Sequence, residues 1–169
     1  MNSIIHSITN NSIQELKLFD KNIGTVGAQA IAEALKTNTF LQALYLSWNK
    51  IGDTGAQALA EALKFNTSLQ ALYLYKNKIG DTGTQALAEA LKLNTSLQKL
   101  HLSCNEIVDT GAYQIIKEYC KRNKETFERM QYFTDHLPTI IYLQDMVRRI
   151  VWKPHGRLAR KMFEESDWE

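Results

Sequence analysis

Six rings recur at related positions in this sequence, and they are the residues best equipped for recognition chemistry. In chain order they are Phe19, Tyr45, Trp48, Tyr73, Tyr75 and His101, with Lys76 beside them. Tyr and Trp dominate binding hot spots, each costing about 2 kcal/mol or more when truncated. Covalent chemistry has a poorer claim. His101 and Cys104 stand three apart, and a Cys–His pair can make a nucleophile. No third partner or oxyanion donor accompanies them, and the spacing sends the two side chains apart. His6, His101, His136 and His155 are scattered and offer no metal-ligand spacing. The glycines belong to a repeated turn and not to a phosphate loop. The residues therefore point to a binding protein rather than an enzyme, with no cofactor and no metal.

The elements that must position these rings come from one 28-residue pattern. Leu41–Ser68 reads LQALYLSWNKIGDTGAQALAEALKFNTS, and Leu69–Ser96 reads LQALYLYKNKIGDTGTQALAEALKLNTS. Ile13–Phe40 is a looser copy, and Leu97–Lys124 begins as a copy and then drifts. Self-similarity at such a period marks a solenoid. That gives a head of Met1–Ser12, four repeats and a tail of Glu125–Glu169.

Positions 1, 4 and 6 of the repeat hold Leu41, Leu44 and Leu46, then Leu69, Leu72 and Leu74. The alternation predicts a short strand with one buried face. Positions 3, 5 and 7 point the opposite way, and position 8 follows on the rim. They hold Glu15, Lys17, Phe19 and Asp20; Ala43, Tyr45, Ser47 and Trp48; Ala71, Tyr73, Tyr75 and Lys76; Lys99, His101, Ser103 and Cys104. Position 10 adds Lys50, Lys78 and Glu106. An aromatic stripe is usually core, but leucines already occupy the core phase. Strand propensity explains Tyr45 and Tyr73, which are copies of each other. It explains Trp48 and Tyr75 less well, because there the twin repeats differ. Divergence confined to exposed positions would mark a specialised surface.

Position 9 holds Asn49, Asn77 and Asn105, whose amides can satisfy the backbone where the chain leaves the strand. In register they would stack into a ladder. In Gly52–Gly55 and Gly80–Gly83, Asp53 or Thr54 can cap the helix that follows. Gly55 and Gly83 let the helix start lie close against the strand. Leu59, Leu63, Leu87 and Leu91 sit on one helix face. The Asn-Thr-Ser turns at Asn66 and Asn94 match a glycosylation acceptor, but they are the repeat's own turn.

The pattern LxxLxLxxN, followed by a glycine and a helix with leucines four apart, resembles leucine-rich repeats of the ribonuclease-inhibitor type. It covers Ile13–Asn123. The resemblance implies an α/β solenoid, a curved horseshoe with parallel strands on the concave side and helices on the convex side. It implies a partner protein, and in some members an enzyme inhibited by coverage of its active site. The near-identical copies, rich in Asn and Lys, also resemble short repeat proteins of intracellular bacteria that act as effectors in host cells.

Departures mark the ends. Lys21 replaces the ladder Asn, Val108 replaces Gly, and Tyr119 replaces Leu. Solenoid ends need covering segments. Ile4, Ile5 and Ile8 can cover the first repeat from the end of a preceding helix, or form an extra strand. In the tail, Leu137-Pro138 is expected to break the helix, followed by a helix over Thr139–Val151. A second break falls at Pro154–Gly156, and a short helix covers Arg157–Glu165. The tail reads as a helical C-terminal cap. Leu143, Val147 and Val151, preceded by Pro138, faintly resemble a box that recruits ubiquitin ligases. Arg148–Lys161 carries six basic residues, which the acidic end that follows nearly balances.

Bulk properties narrow the class. The chain is 44% hydrophobic and 22% charged, with net charge +2, which makes no case for a general nucleic-acid or membrane surface. Met1–Ser12 lacks the features of a signal peptide. Cys104 and Cys120 fall in different parts of the repeat, so no mutual disulfide is expected, and a reducing cytoplasm suits them. The reading is a monomeric, cytoplasmic protein (in the host cytosol, for an effector) that binds another protein through Phe19, Tyr45, Trp48, Tyr73, Tyr75, Lys76 and His101. The alternative is an adaptor whose repeats bind a target while the helix over 139–151 recruits a second protein.

Overall fold

The computed structural model describes the backbone of residues 2–151 and their side chains, apart from those at 2, 140, 145 and 147–151. The expected break at Pro154–Gly156, the helix over Arg157–Glu165 and the side chains of Val147 and Val151 lie outside that set. The chain forms two compact units, Met1–Phe127 and Glu128–Glu169.

The first unit alternates helix and strand: α1 (Asn2–Thr9), β1 (Glu15–Lys17), α2 (Gly24–Thr37), β2 (Ala43–Tyr45), α3 (Gly52–Leu63), β3 (Ala71–Tyr73), α4 (Asp81–Leu93) and β4 (Lys99–His101). The strands form one parallel sheet in the order β1-β2-β3-β4. Its register shifts by one whole repeat per strand, so Lys17, Tyr45, Tyr73 and His101 are direct neighbours. The architecture is a leucine-rich-repeat solenoid. Strands line its concave side because the helix layer is thicker than the strand spacing of about 4.8 Å.

Leucine columns hold the stack together. Leu41, Leu44, Leu46, Leu59, Leu69, Leu72, Leu74, Leu87 and Leu91 are fully buried, and each such side chain contributes about 1.5–3 kcal/mol. The asparagine ladder forms as the register requires. Asn49 donates from Nδ2 to the Leu18 carbonyl at 2.6 Å, and its Oδ1 accepts from the Lys21 and Ile23 N–H groups. Asn77 does the same for Leu46, Asn49 and Ile51. Asn105 serves Leu74, Asn77 and Ile79. Each asparagine thus completes the turn of the repeat before it. Lys21, in the first repeat, has no earlier turn to complete.

A second ladder runs at the other end of the helices, where the sequence shows only an ordinary turn. Asn66 donates to the Leu35 and Asn38 carbonyls at 2.8 and 2.9 Å. Asn94 donates to those of Leu63 and Asn66, and Asn123 to those of Asn94 and Leu97. Asn66 and Asn94 are buried, so these amides are committed inside the fold.

Two local expectations shift by one repeat. Asp53 does not cap its own helix. Its Oδ1 accepts from the Gly80 and Gly83 N–H groups at 2.7 and 2.9 Å, at the start of α4. Asp81 likewise accepts from Val108 and Asp109. Only Asp109, which has no repeat beyond it, accepts from its own helix at Gly111. Gly55 and Gly83 permit close packing, but of helix on helix as much as helix on strand. A Cβ on Gly83 would stand 2.9 Å from the Ala56 Cβ and 2.8 Å from the Ile79 Cγ2.

At the first end, α1 covers repeat one with Ile8 fully buried and Ile4 and Ile5 partly so. The extra-strand alternative does not occur. At the other end, α5 (Thr110–Val151) buries Ala112, Ile116 and Cys120, and Arg122 donates to the Asn94 carbonyl at 2.8 Å. Contrary to the expected break, α5 runs through Leu137-Pro138 as one 42-residue helix. A proline costs a helix interior about 3 kcal/mol, by removing one hydrogen bond and crowding one carbonyl. The helix-forming segments on either side outweigh that local cost. Tyr132, Phe133, Leu137, Ile141, Tyr142 and Leu143 of α5 are exposed.

Candidate functional site

The strand register assembles the six rings into one connected belt. Phe19 meets Trp48 edge-on, with centroids 6.2 Å apart. Trp48 meets Tyr75 at 6.0 Å, and Tyr75 stacks on His101 at 5.8 Å. His101 meets Tyr73 edge-on at 6.3 Å, and Tyr73 lies parallel to Tyr45 at 4.5 Å. That last distance matches the strand spacing, because both tyrosines occupy the same position in neighbouring repeats. Lysine ammonium groups lie over the rings: Lys76 is 3.7 Å from the Trp48 centroid, Lys99 5.1 Å from Tyr73 and Lys17 5.6 Å from Tyr45. Such contacts contribute about 0.5–1 kcal/mol at exposed sites.

The belt stands partly in water while the two central strands are dry on the reverse. Phe19 is 56% exposed and Trp48 40%, whereas Leu44 and Leu72 are fully buried. Tyr45, Tyr73, Tyr75 and His101 are half-buried, chiefly against one another. Loss of water raises the Tyr45 hydroxyl above its ordinary pKa, with the Glu15 carboxylate second. A hydrogen bond with the Cys104 thiol raises Tyr75.

Trp48 is held in a left-handed backbone, with φ at 65°. Asp20, Lys76 and Cys104 share that conformation at the same repeat position. It is rare for so bulky a side chain, and the surroundings must fix it. Here the Trp48 N–H donates to the Tyr75 carbonyl at 2.9 Å, and the Asn49 N–H donates to the Asn77 amide. The rim geometry is therefore set by the ladder.

Cys104 is exposed and Cys120 is buried, and both thiols are free. Burial pushes the Cys120 thiol up to about 11. His101 is engaged with the Tyr73 and Tyr75 rings, while Cys104 lies near enough to the Tyr75 hydroxyl to raise its pKa. No group of three or more His, Cys, Asp or Glu side chains that could hold a metal ion occurs among the described residues. Among the same residues no helix is long and apolar enough to cross a membrane.

The expectation that the twin repeats diverge only at exposed positions needs correction. They differ at Ser47/Tyr75, Trp48/Lys76, Ala56/Thr84 and Phe65/Leu93. Thr84 is fully buried, and its hydroxyl donates to the Gly80 carbonyl at 2.8 Å. One difference is therefore internal and satisfied locally. Two adjacent differences still fall on the ring belt.

The Leucine Rich repeat family pattern matches residues 9–32, 37–60, 65–88 and 93–115, more than half of the chain. The chain belongs to the leucine-rich repeat family. Domains of this family generally mediate protein–protein interaction, so a leucine-rich-repeat scaffold with an exposed ring belt is a protein-binding architecture. No curated protein matches the sequence. Among solved structures, the chain is similar to the actin-binding site 2 domain of leiomodin-1, at 18% identity and a TM-score of 0.66. That likeness covers 81% of this chain and 96% of the other. It is also similar to the tropomodulin C-terminal domain of Caenorhabditis elegans, at 16% identity and a TM-score of 0.52. There the coverage is 78% of this chain and 97% of the other. At these identities the likeness is one of fold.

Proposed function

We propose that this leucine-rich repeat protein binds another protein through its concave ring belt and acts by covering part of that partner's functional surface. The observation that carries the reading is the continuous belt from Phe19 to Tyr45. Its rings stand partly in water although the leucines of the two central strands, Leu44 and Leu72, are sealed. Trp48, Tyr45, Tyr73 and Tyr75 are the anchors, and Lys76 and His101 shape selectivity. Four strands span only about 15 Å, whereas a typical footprint is about 800 Å² per partner. The loops after the strands therefore contribute. The leiomodin-1 domain is an actin-binding site, so actin is one protein to assay against this face. With a partner captured by the wild-type chain, Trp48→Ala with Tyr75→Ala is expected to weaken binding at least about tenfold by calorimetry. Circular dichroism should stay unchanged. Unaltered affinity would retire the reading.

The adaptor reading draws support from α5, where Tyr132, Phe133, Leu137, Ile141, Tyr142 and Leu143 are exposed. In this reading the helix over 139–151 recruits a second protein. Deleting 139–169 should then leave the repeats folded and abolish one partner alone. A cap role for the tail predicts loss of cooperative unfolding instead.

A further inference from the structure

The lysines of the repeats fall into two populations. On α2, α3 and α4 each has a carboxylate partner one turn away: Lys36 with Glu33 at 2.7 Å, Lys64, at the end of α3, with Glu61 at 2.5 Å, Lys92 with Glu89 at 2.6 Å. These pairs come from the repeated Glu-Ala-Leu-Lys, which puts acid and base on one helix face. On the strand side Lys50, Lys76, Lys78 and Lys99 make no ion pair among the described residues. Lys17 alone is paired there, with Glu15 at 3.2 Å.

Repeat position explains the difference. The acids on the strand side and rim are Glu15 and Asp20 in the first repeat and Glu106 in the last. The two central repeats contribute Lys50, Lys76 and Lys78 at these positions and no carboxylate. Their Asp53 and Asp81 are occupied with backbone N–H groups of the next repeat. The helix side is neutralised within the chain, and the middle of the ring belt is left positive.

We infer that the concave face takes an acidic protein segment, whose carboxylates reach Lys50, Lys76 and Lys78 while its apolar side chains lie against the exposed edges of Trp48, Tyr73 and Tyr75. This rests on the concave-face reading above and names the chemistry of its partner. A single-stranded nucleic acid is the other polyanion that uses rings and lysines. Ring geometry disfavours it. Tyr45 and Tyr73 already stack at 4.5 Å, which leaves no slot for a base, and the Lys76 ammonium occupies the Trp48 face. A carboxylate can pair with that ammonium without displacing it. The repeats also hold no arginine before Arg122, so the bidentate fork suited to phosphate is missing from the belt.

The test uses the full chain and three fluorescent probes: a peptide alternating Asp or Glu with Leu and Phe, the same peptide with Lys for every acid, and oligo-uridine. The acidic peptide is expected to bind best, and to lose about tenfold in affinity as salt rises from about 50 to about 300 mM. The triple variant Lys50→Glu, Lys76→Glu, Lys78→Glu should lose the acidic peptide and gain the basic one. Lys36→Glu with Lys64→Glu on the helix side should change neither. Equal binding of both peptides, an unaffected triple variant, tighter binding of oligo-uridine, or no binding of the acidic peptide up to about 1 mM would each overturn the inference. The concave-face reading fails separately. It falls if a captured partner tolerates Trp48→Ala with Tyr75→Ala, whatever the lysine variants do.

Discussion

The second and third repeats carry almost the same text but present different surfaces. Every leucine of the columns, and every residue whose side chain hydrogen-bonds a neighbouring repeat, is identical in both: Asn49 and Asn77, Asp53 and Asp81, Asn66 and Asn94, Ser68 and Ser96. The adjacent pair on the strand side is not, Ser47-Trp48 against Tyr75-Lys76. A residue bound in a column must match its neighbours' register. A residue whose side chain hydrogen-bonds no neighbouring repeat is free to change. The internal difference obeys the same rule, since the Thr84 hydroxyl is satisfied within its own repeat.

The largest test of this contrast removes a column residue. Asn77→Ala strands the Asn49 and Ile51 N–H groups in a buried site and leaves the Leu46 carbonyl with the Asn49 amide as its remaining side-chain donor. Each such group costs about 1–3 kcal/mol, so urea unfolding should show a loss of at least about 2 kcal/mol. A loss under about 1 kcal/mol would mean the ladder is incidental to the stack. Gly83→Ala comes next. Its methyl would stand 2.7 Å from the Asp53 Oδ1 and 2.9 Å from the Ala56 Cβ. Overpacking of that kind costs about 1–3 kcal/mol, read from the same denaturation curves.

A third test sets the twins against the drifting fourth repeat, which buries a titratable group. The Cys120 thiol is raised in the folded state from 9.0 to about 11 by burial. The folded chain therefore holds the proton more tightly. Stability should be whole below pH 9.0 and fall as pH rises toward about 11. Cys120→Ala should make that decline shallower, leaving the part due to Tyr45 and Tyr75, which thermal unfolding across the pH range checks. The smallest expected effect on stability is an exchange of the divergent pairs: Ser47→Tyr, Trp48→Lys, Tyr75→Ser and Lys76→Trp together. Exposed changes usually stay within about 0.5 kcal/mol each. The melting temperature should move little, while affinity for a captured partner should drop about tenfold.

The repeat, the strand phase and the Asn49 ladder were legible because each writes itself at a fixed interval. The rings could be placed on the open face because leucines already filled the opposite phase. Other features hid for physical reasons. Asn66 and Asn94 look like turn residues, since the carbonyls they satisfy belong to the preceding repeat. Asp53 sits just inside the start of its own helix, so a local reading assigns it there, yet the next helix start lies within its reach. Pro138 reads as a break when one residue is weighed alone, but the segments on both sides decide. The separation of paired from unpaired lysines also hid, because it depends on what lies across the stack.

Asp109 folds back on its own helix only because nothing follows to receive it, while Asp53 and Asp81 each reach forward. A copy of Leu69–Ser96 inserted after Ser96 would meet matching donors and acceptors at both junctions. The array can thus lengthen or shorten by whole units with no backbone group orphaned. Each added unit would widen the ring-bearing surface by one column, so the reach of this protein is adjustable by duplication alone.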